Sequence, residues 1–221
     1  MLIYVDMVSK AEICSDAFDQ KPVAGYKCVR EIQSKKITFQ EVEADIGGNA
    51  SAGGGEGGDD EADEGVEASE AQQVIDVVHA AKLQKMDLSA KEFNSMQKAY
   101  WKALIEALNK RRYYLLGITV TEDDDKDSIK EKEAAAYEEL SAFEKKAVDA
   151  AKEKMAQFKA NFTELQAFIK EVVIANFDEF EFYLGEDAEL GEAMIIPARY
   201  IGEAEAPIFY MYDDGIEFKK A

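Results

Sequence analysis

The chain has 221 residues, of which 47% are hydrophobic, so it can bury one sizeable core. Its formal net charge is −20, and residues 41–70 supply −11 of this, with eleven Asp or Glu and no Lys or Arg. Such acidity disfavours binding to nucleic acid or to an anionic membrane, because both would be repelled. No basic leader precedes a long apolar run, and no stretch approaches the roughly 18 apolar residues of a membrane span. We therefore expect a cytoplasmic protein.

The first part of the chain predicts β-strands. Met1–Met7 is a short apolar run with β-branched residues, which is typical of a strand. Cys28–Ile32 and Ile37–Val42 flank a four-residue polar stretch and predict a hairpin. Val74–Val78 predicts a further strand. Between them, residues 45–72 hold eight of the fourteen glycines and mostly Asp, Glu, Ala and Ser, which predicts a flexible acidic loop.

The middle of the chain predicts helices. Ser89 and Glu92 have the spacing of a capping box, an apolar stripe of helical period follows, and Gly117 ends it. Ser128 predicts a second capping box at the start of a longer, solvated helix. Asn161 or Thr163 is expected to interrupt that helix before a more apolar final segment. Residues 89–176 are thus interpreted as an antiparallel helical hairpin, called the arm below.

The last part of the chain predicts strands again. Phe177–Glu186 has aromatic residues at alternate positions, which is the period of a strand with one buried face. Met194–Ile196 is a continuous apolar run. Asp214-Gly215 predicts a tight hairpin that joins Ile208–Tyr212 to Ile216–Phe218.

Four motifs resemble the translationally controlled tumor protein family. They lie at both ends of the chain and at the head of the acidic loop, in the family's order. They are Tyr4-x-Asp6 with Glu12-x-x-Ser15-Asp16; Ile46-Gly47-Gly48-Asn49-Ala50-Ser51; Asn176-Phe177 with Phe182-Tyr183-Leu184-Gly185-Glu186; and Phe209-Tyr210-Met211-Tyr212-Asp213-Asp214-Gly215. Two departures stand out: Ala52 follows the loop serine where the family has an acidic residue soon after, and roughly residues 113–155 of the arm have no counterpart.

The resemblance implies an α+β fold: an Mss4-like β-tent domain with an inserted, extended antiparallel α-helical hairpin and a flexible acidic loop. The whole chain, 1–221, would be one domain. Its β parts would be 1–44, 73–88 and 177–221, with the loop at 45–72 and the arm at 89–176. The zinc site of Mss4-type proteins needs two Cys-x-x-Cys pairs, and Cys14 and Cys28 form none, so zinc is not expected.

The resemblance also implies a function. It predicts a non-enzymatic, monomeric regulator that engages a small GTPase of the Rheb type or the nucleotide-exchange machinery of elongation factor 1. Glu12 matches a glutamate implicated in the GTPase contact. The alternative interpretation is that Glu12 is one of 46 acidic residues on a surface.

Other chemistry is sparse. His79 is the only histidine, and no catalytic or phosphate-binding motif accompanies it, so we expect no enzyme and no cofactor. Weak calcium binding is possible at five acidic residues of the loop, since hard cations prefer carboxylate oxygens. These residues are Asp59, Asp60, Glu61, Asp63 and Glu64. Asp123–Asp125 offers a second such cluster. A calcium-binding or chaperone-like acidic protein is therefore the alternative function.

The arm offers one more candidate surface. Family members are associated with tubulin, and the stretch Arg111-Arg112-Tyr113-Tyr114 mixes basic and aromatic side chains that suit an acidic partner. The alternative is that Tyr100, Trp101 and their neighbours pack between the helices.

Overall fold

A computed structural model of the protein describes residues 1–39 and 72–220, and the strands within these ranges form three antiparallel sheets. The loop-signature residues Gly47, Gly48, Asn49 and Ser51 and the five calcium candidates lie outside the described residues. The strands are β1 (Leu2–Asp6), β2 (Glu12–Ser15), β3 (Gln20–Val23), β4 (Tyr26–Gln33), β5 (Lys36–Phe39), β6 (Gln72–Ile75), β7 (Gln84–Met86), β8 (Phe180–Leu184), β9 (Ile196–Arg199), β10 (Ile208–Tyr212) and β11 (Ile216–Lys220).

The largest sheet has the order β3-β4-β10-β9-β8-β7, and a second has the order β11-β1-β2. Among the described strands, β5 pairs only with β6. The predicted hairpin between β4 and β5 is therefore wrong. Both strands exist, but β4 pairs with β3 and β10, while Lys36 of β5 lies opposite Ile75 of β6. A polar four-residue stretch is compatible with a tight turn, yet here the chain uses it to leave one sheet for another.

The predicted hairpin at Asp214-Gly215 is wrong for the same reason. A short 3₁₀ helix, Asp213–Gly215, carries the chain from β10 in the six-stranded sheet to β11 in the three-stranded sheet. Gly215 is needed for space, not for a positive φ. A Cβ at this position would lie 2.6 Å from the Met194 Cε and would also overlap the Tyr100 hydroxyl.

The first strand and the first long helix follow the sequence prediction, but Val74–Val78 does not. Strand β6 ends at Ile75, and helix α1 (Asp76–Ala80) begins. The Asp76 carboxylate accepts hydrogen bonds from the amides of Val77 and Lys35, both at 2.8 Å, and so it stabilises the turn out of the ribbon.

Helix α2 (Ala90–Leu116) has the predicted ends. The Ser89 side chain accepts from the Glu92 amide, the Glu92 carboxylate accepts from the Ser89 amide at 2.9 Å, and Gly117 is left-handed with φ of 66°. Glycine is favoured there because it has no Cβ to clash in that conformation. The helix begins and ends where local chemistry dictates.

The rest of the arm is two helices rather than one. Helix α3 (Lys126–Glu139) is capped by Asp125, whose carboxylate accepts from the Ser128 amide at 2.7 Å, so the predicted capping box at Ser128 is wrong. Helix α4 (Ala142–Phe168) starts at a capping box formed by Ser141 and Glu144. Neither Asn161 nor Thr163 interrupts α4; the Asn161 side chain instead donates to Asp214.

Helices α2 and α4 run antiparallel and pack tightly where they meet the sheets. The rings of Trp101 and Phe162 meet edge to face at 5.0 Å, and farther along the arm Leu108 lies near Ala151. Helix α3 has no buried residue. It is attached to α2 through the ion pair between Arg112 and Glu133 at 2.7 Å, and to α4 through the Tyr137 hydroxyl, which donates to Asp149 at 2.9 Å. The arm is therefore well packed at its base and thin at its far end, as its sparse apolar stripe predicts.

A π-helical turn (Ile169–Val173) and a 3₁₀ helix (Ile174–Glu179) lead from α4 into β8. The predicted strand consequently begins at Phe180, not at Phe177. Phe168 at the end of α4 packs against Tyr210 of the six-stranded sheet, with ring centroids 5.6 Å apart. The arm and the sheet thus share one hydrophobic core.

Candidate functional site: a groove beside Glu12

The turn from β1 to β2 is held by the buried carboxylate of Asp6, which is 1% exposed. It accepts hydrogen bonds from the amides of Val8 and Ser9, both at 3.2 Å, and from the Ser9 hydroxyl at 2.6 Å. It also accepts from the Tyr100 hydroxyl at 2.8 Å and from the Met194 amide at 3.1 Å. Asp6 therefore fixes the turn that leads to Glu12 onto α2 and the segment before β9.

Glu12 opens β2 and borders a groove with a volume of about 360 Å³. Eight residues line it, and we call it the Glu12 groove: Lys10, Ala11, Glu12, Ala80, Ala81, Lys82, Glu186 and Asp187. They come from the β1–β2 turn, from the end of α1, and from the segment after β8. Three stretches distant in sequence therefore meet at one surface.

The backbone of this groove is unusual. Lys10, Lys82 and Asp187 have φ of 65°, 49° and 57°, and they are the only non-glycine residues with positive φ in the part of the chain that the structure describes. This conformation is unfavourable for side chains with a Cβ and persists only where surrounding structure enforces it. Residues of this kind cluster at binding and catalytic sites.

The charges of the groove leave Glu12 available. Lys82 forms an ion pair with Glu186 at 3.0 Å, and this hydrogen bond raises the pKa of the lysine. Lys10 is paired with Glu217 on β11 at 2.7 Å. Both lysine charges are thus offset by carboxylates, whereas the side chain of the exposed Glu12 makes no hydrogen bond or ion pair with another described residue. The groove therefore presents the Glu12 carboxylate to solvent.

The structure divides the C-terminal signature into two parts. Gly185 and Glu186 lie at the Glu12 groove: a Cβ on Gly185 would come within 2.5 Å of the Ala11 Cβ and 3.1 Å of the Glu12 carbonyl oxygen. Only glycine permits this close approach, because the neighbours are a Cβ and a backbone oxygen that cannot move aside easily. Gly185 therefore sets the position of the strand that carries Glu12.

Phe177, Phe182 and Tyr183 instead build the core. The rings of Phe177 and Phe182 stack at 4.8 Å, and Phe93 of α2 meets Phe182 at 4.9 Å. Tyr183 is buried, packs on Phe209 at 5.3 Å, and donates its hydroxyl hydrogen to a carboxylate oxygen of Glu181 at 2.8 Å. These three signature residues hold β8 against the arm and the sheet, and they do not line the Glu12 groove.

The other candidate residues of the described part are not gathered into a site. His79 is exposed near the end of α1. Arg111 and Arg112 are ion-paired with Glu217 and Glu133. Tyr100 and Trp101 are 1% and 8% exposed, which matches the packed interpretation.

The carboxylates at 123–125 are used by the protein itself. Asp124 accepts hydrogen bonds from Lys132 at 2.6 and 2.8 Å and from the Thr121 amide at 2.9 Å. The Lys132 hydrogen bond is the main cause that holds the Asp124 pKa well below its usual range. Across residues 1–39 and 72–220 the structure contains no group of three or more His, Cys, Asp or Glu that could hold a metal ion.

Residue types alone could not have identified Lys10, Lys82 and Asp187. Lysine carries no signal for positive φ, and the three positions are brought together by the fold. The only local signal is that Asp187 follows Gly185-Glu186 of the signature.

The described fold is that of an α+β protein with a helical arm and a surface groove at Glu12. The family model described as translationally controlled tumour protein matches residues 1–114 and 140–217, and the chain belongs to this family. None of the helices in the described part is long and apolar enough to cross a membrane.

Individual members of the family are similar to this chain over nearly its full length. The translationally-controlled tumor protein homologs of Neurospora crassa and Yarrowia lipolytica are each 29% identical over 220 residues, which covers 100% of this chain and 99% of each relative. The homolog of Theileria annulata is 28% identical and covers 98% of this chain and 97% of its own length. The structure of the translationally controlled tumor-associated protein of Schizosaccharomyces pombe has a TM-score of 0.56 at 23% identity, covers 100% of both chains, and shares the fold.

The family match also corrects the extent of the unmatched part of the arm. It leaves out residues 115–139, not the wider 113–155 expected from the sequence. This interval contains the end of α2, the connection, and all of α3. Helix α4 belongs to the family's common architecture, and α3 is the added element.

Proposed function

We propose that this protein is a non-enzymatic cytoplasmic regulator whose Glu12 groove engages a guanine-nucleotide-binding partner. The partner would be a small GTPase of the Rheb type or the exchange machinery of elongation factor 1. Family membership supports this class of partner, and the convergence of Glu12, Gly185 and Glu186 at one groove supports the place of contact. We expect the protein to act as a monomer.

The chemistry of the groove suits such a role. The carboxylate of Glu12 is exposed, and Lys82, the nearby cation, is already occupied by Glu186. A carboxylate on a rigid strand can attract a basic side chain of the partner or compete for a cation beside a bound nucleotide. The Asp6 hydrogen bonds and the close approach at Gly185 hold it in place, so little conformational freedom would be lost on binding.

Release of a fluorescent guanine nucleotide from a Rheb-type GTPase tests the proposal. We expect the protein to change the release rate and Glu12→Ala to abolish the change. The matched control is Glu203→Ala, since Glu203 is an exposed carboxylate outside the groove. A GTPase that neither binds the protein nor responds to it shifts the proposal to the elongation-factor machinery, tested in the same assay with its exchange complex. No response in either system refutes the proposal.

Weak calcium binding and tubulin binding are secondary proposals. The calcium proposal depends on Asp59, Asp60, Glu61, Asp63 and Glu64, and on their composition alone. Titration calorimetry of calcium into the whole protein and into a chain without residues 48–68 tests it. Equal heats from both proteins would contradict a site in this segment. The tubulin proposal is weakened because Arg111 and Arg112 are already paired within the protein.

A further inference from the structure

Strand β11 is at the edge of the three-stranded sheet, and its outer side pairs with no other strand of residues 1–39 and 72–220. Along β1, the Met7 amide donates to the Gly215 carbonyl at 2.8 Å, and the register continues with Val5 opposite Glu217. Backbone bonding alternates along an antiparallel pair. The N–H and C=O groups of Phe218 and Lys220 therefore point away from β1, toward the free edge.

A groove separates this edge from helix α4, and we call it the β11 groove. It consists of two adjoining hollows with volumes of about 440 and 350 Å³, both lined by Ala150, Lys154, Ile216 and Phe218. The α4 wall has alanines at 147, 150 and 151, so small side chains leave the space open. Phe218 is 63% exposed. An edge strand facing a helix across such a space is the arrangement that peptide-binding domains use to add a strand from a partner.

Lys154 gives this groove a charge requirement. Its ammonium group is half-buried between the two hollows and donates to the Ile216 carbonyl, but no carboxylate lies within ion-pair distance of it among the described residues. Burial is the main cause that lowers the pKa of this lysine, and the charges of Glu217 and Asp214 oppose that shift only in part. Lys219 and Lys220, at the end of β11, are exposed and likewise form no ion pair within the described chain. A half-buried cation that has no direct ion pair is stabilised by an incoming carboxylate.

We propose that the β11 groove binds an extended acidic peptide segment of a partner protein, which adds to the sheet as a strand beside β11. Its backbone pairs with the outward groups of Phe218 and Lys220, and a carboxylate of the peptide pairs with Lys154. This surface is at the opposite edge of the sheet from Glu12 on β2, so the two sites are separate.

The test uses a blocked eight-residue peptide of alternating valine and glutamate with the full-length protein. Fluorescence anisotropy measures its affinity, and amide resonances locate it. We expect saturable binding that shifts the amides of Phe218 and Lys220. A peptide with lysine in place of glutamate, and one N-methylated at alternate residues, should not bind, because they lack the carboxylates and the donors respectively.

Variants of the protein separate this geometry from nonspecific attraction. We expect Lys154→Met to weaken binding by at least about tenfold and Ala150→Arg to abolish it by filling the groove. Ala156→Arg is the matched control: Ala156 is also exposed on α4 but does not line the groove, so affinity should change less than about twofold. Circular dichroism confirms that each variant is folded.

Three results would overturn the proposal. One is the absence of saturable binding by the acidic peptide. Another is binding that Lys154→Met and Ala150→Arg leave unchanged. The third is protection of the Phe218 and Lys220 amides through self-association, which would make a second copy the occupant.

Discussion

Asp6→Ala tests the basis of the candidate site, because Asp6 links the β1–β2 turn to the core. The substitution leaves the Tyr100 hydroxyl and the Met194 amide without their acceptor, and both residues are 1% exposed. A buried donor without a partner costs about 1–3 kcal/mol, so the two together predict a loss of about 4 kcal/mol in the free energy of unfolding. For a chain of this size that corresponds to a decrease of about 8–16 °C in the melting temperature.

A double-mutant cycle identifies the cause of that loss. Tyr100→Phe removes the phenolic donor alone and should cost about 1 kcal/mol. In the double variant with Asp6→Ala the hydroxyl no longer exists to be left unpaired, so the loss should be smaller than the sum of the two single losses by about 1–3 kcal/mol. Chemical denaturation gives these free energies, and Asp16→Ala, an exposed aspartate beyond β2, should lie within about 0.5 kcal/mol of wild type.

The same variant tests the connection to Glu12. Since Asp6 also accepts from the amides of Val8 and Ser9, its loss should free the turn and shift the amide resonances of Lys10 and Glu12. A loss below about 1 kcal/mol, or strictly additive single losses, would refute the reasoning that Asp6 is the central acceptor.

Three further predictions concern other parts of the molecule. Gly185→Ala should destabilise the protein by about 1–3 kcal/mol, since the new Cβ would overlap the Ala11 Cβ. Adding Ala11→Gly to the same chain should recover part of the lost stability, as measured by thermal unfolding. A Gly185→Ala protein with unchanged stability would contradict the close approach. Burial raises the pKa of both cysteine thiols from 9.0 to about 12, so neither Cys14 nor Cys28 should react with iodoacetamide at pH 8 until the protein unfolds. The stability that the protonated thiols contribute below pH 9 should be lost as the pH rises toward 12. Rapid labelling of the native protein would disprove this prediction. Asp124→Asn should speed amide exchange in α3 with little change in the melting temperature, because the hydrogen bonds from Lys132 and its neighbours lower the Asp124 pKa from 3.8. In the wild type, acid should have the same effect as the pH falls below about 4. Unchanged exchange would show that the contacts of Asp124 are dispensable for α3.

Local signals in the sequence predict elements well and their partners poorly. The two ends of α2 could be read from Ser89, Glu92 and Gly117 because capping is a short-range interaction. Which sheet a strand joins is decided by residues far away in the chain. Asp213–Gly215 has the composition of a tight turn, but the strand that follows it, β11, pairs with β1 at the other end of the sequence.

The helix errors in the arm have a different origin. Ser128 and Ser141 both stand three residues before a glutamate, so both fit the capping-box pattern. At the first, the preceding Asp125 is a competing cap with an ionised acceptor, and Ser128 becomes an interior residue that donates to Asp124. The capping-box pattern identifies residues that could cap a helix, but it does not show which of two neighbouring candidates does so.

The candidate site was predictable only in part. Glu12, Gly185 and Glu186 could be named by resemblance, but nothing in the sequence places them at one groove. Lys10 and Lys82 could not be named at all, since their left-handed backbone is imposed by packing. The β11 groove was hidden for the same reason: its two walls, Ala150 on α4 and Phe218 on β11, are 68 residues apart.

The two proposed surfaces are at opposite edges of one small sheet, and this arrangement bears on how they could act together. Glu217 on β11 is paired both with Lys10, which lines the Glu12 groove, and with Arg111, which lines the β11 groove. A peptide carboxylate that enters the β11 groove would compete with Glu217 for Arg111 and leave Glu217 free to hold Lys10 more firmly. Lys10 lies two residues before Glu12. A peptide bound at the β11 groove would then affect how rigidly the Glu12 groove is held. Coupling between sites must be reciprocal in binding free energy, so a partner at Glu12 would alter peptide affinity at β11 by the same factor.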